Sequence, residues 1–522
     1  MNTVFETYLK EAIGGDNARI ALDALSGPAS VSVRMNPGKV NAGVVNAGVV
    51  NAGVVNAGVV NAGVVNAGVT ELNAGIVNAD VAEANTDISA NQAFTGLMVN
   101  FPSEICRKIS PVAWSPHGVF LPERPCFTLD PLLHAGCYYV QDSSAMFVGH
   151  VFREVLRSML ESGRIGGGRP VRVLDLCAAP GGKTTDILAS LKMSGCQSYV
   201  LVSNEIMKQR AAVLADNAGI WGDPHVVVTS VDPKAFASLQ GYFDIIVADV
   251  PCSGEGMFRK DAEALAQWSA DNVALCQARQ RRIVDDVWPA LAEGGSMIYS
   301  TCTFNRFEND DNAEWIASEL GAEKFIFNAD FQGVLKTGMG AGLVPGLVPG
   351  EGQYCAALTR TSENRGYAFA GVRRQDRKAV AELPKDIDLK VRNYFCGEVR
   401  SMLRSDMIVA VPEELMDEIR VLDVLRPILR GTAVGQLKGK DIVPDEDLAL
   451  CMDLKRGVFP EAELTREQAL AFLHKDTLTL TNTERGIVLL TFGGHPLGFV
   501  KNLGNRCNNL HPQGRRIRMN ID

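Results

Sequence analysis

The chain has 522 residues, 46% of them hydrophobic and 21% charged, with a formal net charge of −9. That length exceeds one ordinary core and predicts two to four domains. No apolar run is long enough to span a bilayer, the N-terminal MNTVFETYLKEAIGG lacks a basic-then-apolar secretory pattern, and the acidic balance argues against indiscriminate nucleic-acid binding, so a cytoplasmic, membrane-free monomer is expected.

Residues 1–40 predict helical pieces leading to a strand at VSVRMNP. From Asn41 to Val65 the motif NAGVV then repeats five times, followed by NAGVT and degraded copies to about Asn91. A period of five matches neither a helix nor a strand, and Asn-Ala-Gly supplies turn formers with little to pack. The segment 41–95 is expected to be either a weakly ordered surface insertion or a short solenoid-like one, within a first region of residues 1–125.

A different texture begins near Phe127, where GCYYVQDSSAMFVGHVF gives a turn, a polar QDSS and an apolar helical run. After a Gly-rich linker, strand and helix signals alternate. VRVLDL, YVLVSNE, HVVVTSVD, FDIIVADV, GSMIYST and QYCAALTR predict strands; KTTDILASLKM, IMKQRAAVLADNAG and NVALCQARQRRIVDDVWPAL predict helices. Such alternation over 126–360 predicts an α/β fold with a parallel, doubly wound sheet. Residues 361–455 are charged and mixed, with helical stretches such as PEELMDEIRVLDVLRPILRG, and read as a linking domain. Residues 456–522 carry short strand runs separated by Gly and Asn turns and predict a small β-domain. Lys501, Arg506, Arg515, Arg516 and Arg518 crowd its end against Asp522 alone, which suits either a solvated tail or a face that meets phosphates.

Ligands of an open α/β sheet bind at the carboxyl ends of the strands. The first strand of the alternating region ends in LDLCAAPGGKTT. Its Gly181 and Gly182 allow close backbone approach, with a helix N-terminus behind them. GGKTT has the tail of a phosphate-binding G-x-x-x-x-G-K-[ST] loop, but the first required glycine falls at Cys177, so a nucleotide triphosphatase is disfavoured. The other reading is an S-adenosylmethionine loop formed by Cys177, Ala178, Ala179, Pro180, Gly181 and Gly182. Glu205, at the next strand end, sits where related folds put an acid on ribose hydroxyls, and Asp232, at the one after, would lie near an adenine; a helix cap is the plainer role for each. Two further strand ends carry Asp249-Val-Pro-Cys252 and Thr301-Cys302, so adjacent parallel strands would bring both thiols to one ligand edge. The twelve cysteines contain no C-x-x-C pair and the seven histidines do not cluster near them. No metal site is expected, and the other ten cysteines are expected to be packing residues.

CAAPGGK, DVPCSGEGMFRK and YSTCTFNRFEN resemble the cofactor, Pro-Cys and Thr-Cys motifs of the Nol/Nop/Sun family of RNA (cytosine-5) methyltransferases. GLVPGEGQYCAAL, LRPILRGTAVGQLKG and HPLGFVKNLGNRCNNLHPQGRRIRM resemble its bacterial RsmF-type branch, and together the motifs cover nearly the whole chain outside about 41–95. The resemblance implies an S-adenosylmethionine-dependent, Rossmann-like catalytic domain between an N-terminal RNA-binding region and a C-terminal PUA-like domain. It implies methylation of cytosine C5 in RNA, most naturally 16S ribosomal RNA or the small subunit.

The family pattern makes Cys302 the nucleophile that adds to C6, Cys252 the residue that assists its release, and Asp249 a hydrogen-bonding partner of the base. Lys183 matches a family lysine near cofactor and catalytic centre, and Asp249 also borders the cofactor. In DNA cytosine methyltransferases the Pro-Cys thiol attacks instead, so reversed cysteine roles are the mechanistic rival. A non-catalytic ribosome-assembly factor is the functional one. Two departures from the family stand out: the repeat interrupts the N-terminal region, and Asn-Arg-Cys-Asn-Asn replaces a more basic run near the C-terminus.

Overall fold

In the computed structural model of the chain, the described residues are 3–40, 108–196, 198–364, 383–480 and 483–521. The NAGVV repeat expected at 41–95 lies outside them. The chain forms two compact units that do not follow chain order. One comprises Met1–Ser32 with Val140–Val458, the other Val33–Tyr139 with Phe459–Asp522.

The first unit is built on a central sheet. Its parallel strands are β1 (Val171–Asp175), β2 (Tyr199–Asn204), β3 (Val226–Thr229), β4 (Phe243–Asp249) and β5 (Leu291–Thr301). They stand in the order β3-β2-β1-β4-β5, and β6 (Gln353–Arg360) closes antiparallel on β5. The chain runs outward from β1 through β2 and β3, then crosses back to β4, so the switch point of the sheet lies between β1 and β4. Every residue of β1, β2 and β3 is buried, as in a sheet covered on both faces, which is why these strands read as continuous apolar runs.

Helices α1 (Thr3–Ile13) and α2 (Gly15–Leu25) open the unit. Their Phe5 meets the ring of Phe258 at 5.2 Å and that of Trp268 at 5.4 Å, both edge-on. Helix α3 (Ser143–Glu161) precedes β1, and α4 (Gly182–Met193) and α5 (Lys208–Trp221) follow β1 and β2. At Gly149, α3 passes so close to α4 that a Cβ would come within 2.1 Å of the Asp186 carboxylate, which would have to shift to admit it. Helix α6 (Ala270–Val287) leads into β5, and α7 (Asp310–Leu320) follows it.

The linking region departs from its expected helical character. Val399–Arg404, Met407–Pro412, Thr432–Lys438 and Asp441–Pro444 form an antiparallel four-stranded sheet, and Leu429–Arg430 pairs with β3 of the central sheet. Their alternation is masked in the sequence by charged residues on the open face. Only Met416–Leu422, here α8, is an α-helix within PEELMDEIRVLDVLRPILRG. Its Glu418 receives Arg172 of β1 bidentately, at 2.8 and 3.0 Å, and the hydroxyl of Tyr242 donates to the same carboxylate. Arg172 also lies 4.5 Å over the Tyr242 ring. This buried pair is satisfied on both sides; removing one partner would strand a charge.

In the second unit, Ser110–Val112, Ser115–Leu121, Val31–Met35 and Tyr138–Val140 form one four-stranded sheet in that order. Glu461–Glu463, Gly486–Phe492, His495–Asn502 and Cys507–Asn509 form another, with the helix Arg466–His474 capped by a Thr465–Gln468 box. No helix among the described residues is long and apolar enough to cross a membrane.

A second charged cluster sits at the start of β3. His225 meets Asp223 at 2.8 Å and Glu414 at 3.5 Å, and Tyr199 stacks on the imidazole at 4.5 Å. Burial pulls the imidazolium down, but the Asp223 and Glu414 hydrogen bonds outweigh it and raise its pKa to about 9. A raised pKa stabilises the fold fully below the ordinary value of 6.5, and that contribution is lost as pH climbs through about 9. Urea unfolding should therefore show a pH-dependent loss over this window, at most about 3 kcal/mol, that His225→Gln flattens. Equal slopes in parent and variant would contradict the assignment.

Candidate active site

Strand β1 delivers the glycine loop to the switch point. Thr184 donates to Asp175 Oδ2 at 2.6 Å, while Oδ1 is buried without a hydrogen-bond partner among the described residues. Burial, opposed by that hydrogen bond, pushes the carboxyl of Asp175 up to about 7. Beyond it, Leu176 N donates to Val247 O and Ala178 N to Asn204 O. Helix α5 holds the outer side of the loop, with Arg210 donating to Ala179 O and Asn217 to Pro180 O, both at 2.8 Å. Gly181 adopts φ 115° and a Cβ there would lie 3.3 Å from Leu214. The loop is thus fixed from behind, and Gly182 and Lys183 open α4 with its positive end toward the strand ends. Cys177 lies in this loop, its thiol raised by burial.

At the end of β2, Glu205 accepts from Met207 N at 3.0 Å and pairs with Arg210 at 3.1 Å. Arg210 therefore ties this acid to the glycine loop. The preceding residue, Asn204, bridges three strand ends: it donates to Leu176 O and Val231 O and accepts from Thr229 and Val231 N. Asp232 is exposed and caps a short 3-10 helix by accepting from Lys234 N at 3.0 Å. It is Val231, rather than Asp232, that the Asn204 carboxamide holds.

The ends of β4 and β5 carry the densest chemistry. Asp249 receives Lys183 Nζ on Oδ2 at 2.8 Å, and on Oδ1 both Ser300 Oγ at 2.8 Å and Gln353 Nε2 at 2.9 Å. Burial pulls the Lys183 ammonium down, but the charge and hydrogen bond of Asp249 outweigh it and keep it charged. Beside this pair the thiols of Cys252 and Cys302 approach to 3.2 Å. That separation is a thiol contact, well beyond the ~2.05 Å of a disulfide. The hydrogen bond to Cys302, reinforced by burial, pushes Cys252 well above the ordinary thiol range, so Cys252 holds its proton.

Two buried glutamates brace the cysteine loops against each other. Glu255, three residues after Cys252, accepts from Phe304 N at 2.6 Å and Asn305 N at 3.1 Å, just past Cys302. Glu308, from the Cys302 side, accepts from Ser253 N at 3.0 Å, just past Cys252. Gln280 of α6 donates to both Pro251 O and Glu308, and Asn305 donates to both glutamates. Gly256 N donates to Cys302 O at 2.8 Å, and a Cβ on Gly256 would stand 2.9 Å from that oxygen. A cavity of about 550 Å³ opens alongside, with Thr303, Phe304, Gln353 and Tyr354 on its wall.

The structure thus brings Lys183, Asp249, Cys252 and Cys302 together, with the loop 177–182 and Glu205 around the same switch point. Sequence reasoning missed Asn204, Arg210, Glu255, Ser300, Glu308 and Gln353. Glu255 and Glu308 lay inside the quoted motifs, and acids within Gly-rich turns beside paired cysteines were the available signal. Arg210 is one hydrophilic residue of a helix face and gave none. Burial raises the thiols of Cys137, Cys276 and Cys451 to between about 11 and about 12, as packing thiols require, but Cys126 and Cys396 are exposed and depart from the expectation that all ten other cysteines pack. No metal-binding cluster occurs among the described residues.

The 16S rRNA methyltransferase RsmB/F family profile matches residues 169–359, and that of the methyltransferase RsmF PUA domain matches 459–517. Ribosomal RNA small subunit methyltransferase F of Shewanella sp. strain ANA-3 is 31% identical over 65% of this chain and 73% of its own length. The chain belongs to the RsmF family. The corresponding protein of Cronobacter sakazakii is 29% identical over 78% of this chain and 84% of its own length. Among solved structures, a methyltransferase homologue from Pyrococcus horikoshii is 18% identical at TM-score 0.46, covering 69% of this chain and 95% of that one. Membership of the family makes the chain a methyltransferase with a C-terminal PUA domain, and implies an S-adenosylmethionine-type methyl donor.

The brace predicts its own measurement. Glu255 is 1% exposed and its carboxylate accepts four hydrogen bonds, from Phe304 N, Asn305 N, Asn305 Nδ2 and Trp268 Nε1. Glu255→Ala should cost about 3 kcal/mol or more of unfolding free energy by denaturant titration, because several buried donors lose their partner at once. A loss below about 0.5 kcal/mol, the range of surface substitutions, would remove the brace.

Proposed function

We propose that the chain methylates C5 of a cytosine in 16S ribosomal RNA, with Cys302 forming a transient bond to C6 of the base. The observation that carries this reading is the pair of thiols 3.2 Å apart beside the Lys183–Asp249 ion pair, at the switch point of the sheet. Cytosine C5 is a poor nucleophile, and two thiols in contact at one strand edge suit a reaction that first activates the ring and then releases it.

The residues around the loop fit S-adenosylmethionine. Glu205 supplies an acceptor for ribose hydroxyls, and the exposed Ile206 and Met207 beside it supply an apolar face for an adenine. The N-terminal end of α4 suits the carboxylate of the methionine portion. Asp232, engaged as a cap, would border the adenine only through its own exposed carboxylate edge. When bound, the donor supplies an electrophilic methyl group.

In the proposed reaction, the Cys302 thiolate adds to C6, and the electron pair displaced from the C5–C6 bond makes C5 enamine-like. Lys183 lies close enough to Cys302 for the two groups to interact electrostatically. Asp249 accepts a hydrogen bond from the exocyclic N4 amino group, and the Lys183 ammonium paired with it balances the negative charge that develops on the ring. C5 takes the methyl group. The C5 proton then passes to water, its electron pair restores the C5–C6 bond and expels the Cys302 thiolate, and the protonated Cys252 gives its proton to the departing sulfur before being reprotonated from solvent. The basic C-terminal residues Lys501, Arg506, Arg515, Arg516 and Arg518, in the PUA domain, are read as RNA contacts.

The cysteines separate under mutation. Cys302→Ala should abolish methyl transfer and leave no protein–RNA conjugate. Cys252→Ala should add and methylate but stall in release, so that a conjugate survives denaturing electrophoresis and disappears in the double variant. A conjugate trapped by Cys302→Ala would transfer the nucleophile's role to Cys252. Two silent substitutions would reduce both thiols to packing and favour a non-catalytic assembly factor.

A further inference from the structure

Gln353, the first residue of β6, is 2% exposed and ends on Asp249, where its Nε2 donates to Oδ1 at 2.9 Å. A carboxylate only accepts, so this contact fixes which end of the amide faces Asp249 and turns Oε1 away from it. Ser300 of β5 donates to the same oxygen, and Lys183 of α4 to the other. Three donors from three elements therefore hold one carboxylate. Lys183 already compensates the charge. What two neutral donors on Oδ1 add is orientation: the plane of the carboxylate cannot turn without losing one of them.

We propose that Gln353 is a positioning residue for the methyl-transfer reaction, its side-chain amide fixing the rotation of the Asp249 carboxylate toward the base. The inference rests on the role given to Asp249 in the proposed function. Gln353 also stands on the wall of the cavity beside Thr303 and Phe304, so the same side chain joins the cavity to the catalytic carboxylate. The charged and titratable groups that face Asp249 are Lys183 of α4, Asp175 of β1, Cys177 of the glycine loop and Cys355 of β6, with Cys302 beside Lys183. Among these only Lys183 is a cation, so a second carboxyl at position 353 would find a like charge opposite it.

The test uses the full-length chain with S-adenosylmethionine and a 16S rRNA transcript. Gln353→Met keeps the length and loses the donor. Its kcat should fall on the order of 10- to 100-fold, as misplacement of a catalytic group does, with KM for both substrates within about twofold. Gln353→Glu keeps the shape, but its carboxyl donates to Asp249 only while protonated, and repulsion by Asp249 raises the pH at which it ionises. Its activity relative to the parent should therefore drop about tenfold or more between about pH 6 and pH 8.5, while the Gln353→Met ratio stays flat. A purely structural role moves neither the kcat-against-KM split nor this pH ratio. A kcat for Gln353→Met within about twofold of the parent, or a flat ratio for Gln353→Glu, would overturn the inference. Should Gln353→Met unfold, the isosteric Gln353→Glu decides alone. Asp249→Asn separates the two levels: inactive, it leaves the reading of the site standing even when Gln353 proves silent; fully active, it overturns that reading and this inference together.

Discussion

Two carboxylates buried in the floor of the site hold the cysteine loops in register. Glu255 is rooted in the Cys252 loop and ties down the backbone past Cys302; Glu308 is rooted past Cys302 and ties down the backbone past Cys252. Each loop is thus positioned by a side chain of the other, and neither can shift without unpairing buried donors. The approach of the two thiols to 3.2 Å is a consequence of this reciprocity together with the parallel pairing of β4 and β5, in which Asp249 stands opposite Ser300. Buried carboxylates are costly unless every lone pair is used. Here amide, indole and backbone donors use them, and rigidity of the loops is the return.

The same economy runs through the cofactor side. The backbone of loop 176–181 is anchored from behind by Asn204, Arg210 and Asn217. Further out, Arg172 and Glu418 lock the linking sheet's helix to β1. Strand β1 is therefore held at its start by one ion pair and at its end by the network around Asp175, and the glycine loop inherits that rigidity.

Much of this was legible in the sequence, for physical reasons. Strands buried on both faces write themselves as unbroken runs such as VLVSN and DIIVAD, and their carboxyl ends then name the ligand edge, which located Asp249, Cys252 and Cys302. The parallel, doubly wound character of the sheet followed from the alternation of strand and helix signals, while the order of its strands came from the structure. What stayed hidden depended on long-range pairing. The antiparallel sheet of 399–444 lies half open to solvent, and its charged residues imitated helix faces. Gln353 read only as the polar start of a strand, because nothing local says that β6 lies beside β5. Asp232 shows the converse: a strand-end acid recognised as such, whose side chain the structure spends on a cap.

The central claim is that the methyl group goes to C5 of cytosine through Cys302. Bisulfite sequencing of a 16S rRNA transcript incubated with the chain and S-adenosylmethionine tests it most directly, since 5-methylcytosine resists conversion. The account predicts a discrete cytosine that stays unconverted only when protein and donor are both present, and that converts normally with Cys302→Ala. Methyl incorporation into the RNA with every cytosine still converted would place the chemistry on another atom and contradict it.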